Sequence, residues 1–148
     1  MSIPRHKFWD TRAFHKFLVQ RTKTPFAWGT NDCALFAADG VRAITGVDIA
    51  ADFRGKYTDE ASALQAIKTV CGGSTIADAA AYCAAKHGLI EWAKPLFAKR
   101  GDLVVVRNGD GRVIAGLVHL NGRHVVSVGE RGLVWLPVTN IIRSWHYE

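Results

Sequence analysis

The sequence predicts an α+β fold in which helices of the N-terminal half pack on an antiparallel sheet formed by the C-terminal half. Apolar residues recur at helical spacing as far as Gly88, and from residue 99 they take the shorter period of strands, separated by Gly- and Asn-bearing turns. Helices first and strands second is the order of an α+β protein, not of an alternating α/β one. The 148 residues hold no Pro/Ser-rich linker and no internal repeat, so a single domain spanning 1–148 is expected.

Each element follows from local signals. Asp10 is placed to cap a first helix, "TRAFHKFLVQRT", in which Phe14, Phe17 and Leu18 share a face. Pro25 and Gly29 then interrupt the chain. A second helix, "NDCALFAADGVRAITG", is capped by Asn31 or Asp32 and stopped by Gly46, and its apolar stripe of Leu35, Ala38, Val41 and Ile44 is expected to lie against the sheet. Gly40 costs such a helix about 1 kcal/mol relative to alanine, which signals close packing. "DIAADFRGKY" reads as a loop in which Arg54 forms a local ion pair. Thr58 caps a third helix ending at Gly72-Gly73, and Ser74 opens a fourth ending at Gly88. At least four strands follow between Gly101 and Val138, with Asn121-Gly122 as a type I′ hairpin turn, and "NIIRSWHYE" forms a short turn or helix and a final strand.

Composition excludes several classes. No apolar run approaches the ~20 residues of a membrane-spanning helix, and "MSIPRHKFWDTRAF" lacks the apolar stretch of a signal peptide, so a cytosolic origin is expected. The three cysteines, Cys33, Cys71 and Cys83, form no CxxC pair and no zinc-ligand spacing, and no metal or cofactor is expected. Cys71 and Cys83 read as packing residues. The net charge of +6 favours acidic partners. Its charges are scattered and accompany no basic helix or aromatic RNA-binding motif, which argues against nucleic acid.

"FAWGTNDCALFAADG" is the most informative stretch. It sets Cys33 at a helix N-terminus, where positive potential favours a thiolate, although a small buried residue also suits that place. Asn31 and Asp32 are ordinary capping residues. With "RGDLVVV" and a glycine-bearing hairpin further on, the pattern resembles the NlpC/P60 papain-like cysteine peptidases. The fuller set, "FAWGTNDCALFAADGVRAITGVDIAADFRGKY", "RGDLVVVR", "GERGLVWLPV" and "RSWHY", is similar to the DUF6950 group of phage-tail proteins.

The resemblance implies an NlpC/P60-like fold with Cys33 at the nucleophile position and Asp32 where that family also has aspartate. Its histidine position falls at Ile114 and its polar third position near Val126, and neither residue is a base. His119 and His124 are the candidates to stand in. Asn121-Gly122 as a turn pairs them across the hairpin on one face, with Ile114 on the other and about 17 Å from His119 at about 3.3 Å per residue. A polar cross-strand pair near a turn is the simpler reading of both.

Two functions are therefore expected. One is an assembly or structural component of a phage tail tip or baseplate, catalytically degenerate, made in the host cytoplasm, located in the virion tail and partnered by tail tip, hub and tape-measure proteins. The other is an active cysteine peptidase or amidase that cleaves peptidoglycan stem peptides during DNA entry. Cys33 would attack, a histidine would act as base, and helix-start N–H groups would hold the oxyanion.

Overall fold

The structure is a computed structural model that describes residues 3–147; Met1, Ser2 and Glu148, at the limits of the expected domain, lie outside the described residues. Four α-helices come first: α1 (His15–Arg21), α2 (Cys33–Thr45), α3 (Glu60–Cys71) and α4 (Ile76–Lys86). Six strands follow: β1 (Ile90–Glu91), β2 (Leu103–Arg107), β3 (Val113–Val118), β4 (His124–Gly129), β5 (Gly132–Pro137) and β6 (Ile141–His146). They make one antiparallel sheet in the order β1-β6-β2-β3-β4-β5, so the mixed α+β class holds.

The sheet is curled and buries both faces of its central strands. Leu103, Val105, Ala115, Leu117, Val126 and Val128 face the helices and join Phe14, Phe17, Phe36, Val41 and Ile44 in the main core. Val104, Val106, Val118, Val125, Leu136 and Ile141 form a second, smaller core on the opposite face. Two-sided burial accounts for the uninterrupted apolar run "LVVV" in β2, which a half-exposed strand would not carry. Among the helices, α2 packs most closely on β3. A Cβ at Gly40 would lie 2.1 Å from Leu117 Cδ1 and 3.2 Å from the Phe17 ring, so glycine there is a packing requirement.

Several local expectations are corrected. Asp10 is not a cap: its carboxylate accepts only from the adjacent Thr11 N–H, and it lies inside a wide helical turn, Trp9–Phe14, that starts at Phe8 with φ 62°. The Arg5 guanidinium stacks on Trp9, the first residue of this turn, at 4.2 Å. The caps of α3 and α4 are Asp59 and Thr75, each one residue beyond the expected Thr58 and Ser74. In each case the residue three positions on, Ser62 or Asp78, bonds back to the cap N–H, and only that register closes both bonds. The two-residue β1 carries too short a pattern to read.

At the tip of β3 and β4, His119 does face His124, with His119 N–H donating to His124 O at 2.8 Å. The turn is not type I′, because that turn needs positive φ at both central residues and among the described residues only Gly122 has it there. Instead the Asn121 side-chain oxygen accepts from the N–H groups of Arg123 and His124 and shapes a wider loop.

Candidate functional site

Helix α2 begins as its sequence dictates. Asp32, 1% exposed, is the N-cap, and one carboxylate oxygen accepts from Leu35 N–H at 2.9 Å. The other accepts from Gly29 N–H at 3.0 Å and from the Tyr57 hydroxyl at 2.7 Å. Burial and this bond to a carboxylate hold the Tyr57 phenol well above its usual range. Tyr57 reaches Asp32 because the loop before it is anchored. Arg54 pairs with Asp48 through two nitrogens at 2.9 and 3.0 Å and with Asp39 at 2.8 Å. Asp39 also accepts from Arg21 at 2.7 Å, and Arg21 donates to Asn31 at 2.9 Å. This network of four charges ties α1, α2 and the 47–57 loop around the start of α2, and it contains the ion pair expected of Arg54.

Cys33 is the first residue of α2, with its thiol turned toward Ala115 on β3. Burial pushes the thiol up to about 11. The Ala115, Ala34 and Cys33 N–H groups pull the other way, and the charge of Asp32 adds to the rise. The helix N-terminus is therefore outweighed, and the sulfur is a neutral thiol at pH 7. Alkylation of Cys33 is expected to be slower than that of a free cysteine at pH 7 and to accelerate up to about pH 11, as peptide-resolved mass spectrometry would read. A thiol kept protonated by the fold has a second consequence. Between about 9, its ordinary value, and about 11, the unfolded chain gives up a proton that the folded chain keeps, so stability falls as pH rises through that window.

The remaining predicted site residues are elsewhere. Ile114 packs into the second core, and its neighbours Val113 and Ala115 belong to the helix-facing side. The strand position that meets Cys33 is thus Ala115, one residue from the position expected, and it too is no base. Val126 is fully buried in the main core. His119 lies on the helix-facing side by alternation, but four residues beyond Ala115, about 13 Å along the strand. It rests against Trp135 at 4.3 Å, with His124 at 5.7 Å from the same ring. Burial and the neighbouring His124 lower its tendency to take a proton. Cys33 and Asp32 are brought together; His119 and His124 form a separate cluster with Trp135.

What the sequence did not suggest is a cavity of about 840 Å³ between α2, α3, α4 and β3, with Cys33, Tyr57 and Trp28 in its wall. No histidine lines it among the described residues. The alanines of "TIADAAAYCAAK" were the available signal, since small side chains leave room where three helices meet. Cys83 lies in this wall, and burial pushes its thiol up to about 12. Cys71 donates to Ile67 O within its own helix, as a packing residue does.

Fold and site together define an α+β protein with a protonated thiol at the start of its second helix, set against an antiparallel sheet and open to an apolar cavity. The chain belongs to the family described as a domain of unknown function, DUF6950, which matches residues 4–147. No curated protein and no solved structure matches it. No helix among the described residues is long and apolar enough to cross a membrane.

Proposed function

We propose that the protein is a component of a bacteriophage tail tip or baseplate, an NlpC/P60-like domain that keeps the thiol-bearing helix and has lost the catalytic set. The surroundings of Cys33 carry this reading: a thiol raised to about 11, apolar residues opposite it on β3, and no imidazole in the cavity wall among the described residues. An amide-cleaving cysteine needs a thiolate and a proton donor for the leaving amine. The sequence motifs that resemble phage-tail gene products favour an assembly role, in which tail tip, hub and tape-measure proteins would be the partners and the virion tail the destination.

The test is a Cys33→Ala substitution in the encoding phage or prophage. Tails of normal number and length are expected, and purified wild-type and variant proteins should leave peptidoglycan turbidity equally unchanged. Loss of tails despite a folded variant would overturn the reading that assembly is independent of the Cys33 thiol. Turbidity loss by the wild type, abolished in the variant, would establish the cysteine hydrolase instead.

A further inference from the structure

The cavity beside Cys33 has a divided character. Its interior is formed by Ala37, Ile67, Ala79, Ala80, Cys83 and Leu103, all buried. Its volume of about 840 Å³ falls within the range of small-ligand pockets. Away from the mouth, Asp32, Tyr57 and Thr75 in the wall are already committed. The carboxylate of Asp32 is held by Leu35, Gly29 and Tyr57, and Thr75 accepts from Asp78 N–H. A peptide inserted here would bury N–H and C=O groups with nothing to bond them. A hydrocarbon chain has no such groups to satisfy.

The mouth differs from the interior. Glu60, Asp110 and Glu130 are exposed at its rim with one guanidinium, that of Arg112, and none of these four forms an ion pair among the described residues. Phe26 and Trp28 stand at the same rim, edge to face with ring centroids 5.0 Å apart. Carboxylates beside an exposed Trp28 and a half-buried Phe26 favour a cation, and the rim is acidic on a chain whose net charge is +6.

We propose that this cavity binds a single-chain amphiphile, with its aliphatic tail among the alanines of α2 and α4 and a cationic head at the Phe26–Trp28–Glu130 rim. The binding is non-covalent and holds whether or not the chain is part of a tail.

The test compares dodecyltrimethylammonium with dodecanoate, two ligands with matched tails and opposite heads, each below its micelle concentration, by calorimetry and tryptophan fluorescence. Saturable binding of one dodecyltrimethylammonium per chain is expected, at least fivefold tighter than dodecanoate. Ala80→Phe should abolish both, and Ala63→Trp, at a half-buried wall position, serves if the first variant does not fold. Asp110→Lys with Glu130→Lys, on exposed positions, should remove or reverse the preference between heads. Absence of saturable binding by folded wild type, or undiminished binding in a folded cavity-filling variant, would overturn the site. Tighter binding of dodecanoate would overturn the cationic head.

Discussion

Asp102→Ala is expected to remove about 3–5 kcal/mol of folding stability, seen as a lowered urea midpoint at unchanged slope. Asp102 has no exposed surface and precedes β2. Its carboxylate accepts from Arg5 at 3.0 Å, from the Trp92 indole at 2.8 Å and from Lys99 N–H at 2.8 Å. Burial pushes this carboxyl above its ordinary range, against the pull of those three donors. The Arg5 side chain is only 14% exposed and lies between the rings of Trp9 and Tyr147, at 4.2 and 4.5 Å. Its Nη1 is already buried without a hydrogen-bond partner. Removing the carboxylate therefore strands a buried cation. Asp102→Asn should cost less, because an amide oxygen still accepts one bond. Pairing Asp102→Asn with Arg5→Met should recover part of the loss, since the uncompensated charge is then gone. Equal losses for Ala and Asn would mean that the lost charge alone, not the remaining shape and acceptor, sets the effect.

Asp32→Ala is the second large loss, about 3 kcal/mol. It removes the cap of α2, about 1 kcal/mol, and leaves the Gly29 N–H and the Tyr57 hydroxyl without their acceptor, at about 1–3 kcal/mol for a buried donor. Asp32→Asn keeps an oxygen for Leu35 but turns a donor toward Gly29 and Tyr57, so thermal unfolding should place it between wild type and alanine. The same variant tests the electrostatics of the site. The negative charge of Asp32 raises the Cys33 thiol, so Asp32→Asn should shift the alkylation profile of Cys33 to lower pH. An unshifted profile would mean that burial alone keeps the thiol neutral.

The parts of the fold that were legible are those specified locally. The apolar stripe of α2, its Asp32 cap and Gly46 stop, and the apolar strand segments between Gly- and Asn-bearing turns are written within single segments, and the pairing of His119 with His124 follows from counting across one hairpin. The exact caps of α3 and α4 were not legible, because Thr58-Asp59 and Ser74-Thr75 each offer two adjacent capping residues, and Ser62 and Asp78 accept from both N–H groups of each pair; only the forward bond from the cap side chain to the Ser62 or Asp78 N–H chooses between them. The turn type failed for a related reason: Asn121 uses its side chain rather than a left-handed backbone. At the site, Cys33 and Asp32 could be read together, since they are neighbours on a helix start. Tyr57 could not, because its hydroxyl reaches Asp32 only through the Arg21–Asp39–Arg54–Asp48 network. Nor could the cavity, which is a product of how three helices and β3 fail to fill the space between them.

Strand order also has a consequence for how the molecule is born. β6 lies between β1 and β2, yet it leaves the ribosome after every other described strand. Until it arrives, β2 and its run of four buried residues present a bare edge, and β1 has no strand to pair with among the described residues. Synthesis proceeds N-terminus first, so the helices and the β2–β5 meander must wait as an incomplete sheet with a sticky border. Insertion of β6 closes that gap and brings Tyr147 onto Arg5 in the same step. Closure of the sheet is thus gated by β6, and a released chain truncated before Ile141 should expose the β2 edge and depend on chaperones more than the chain that carries β6.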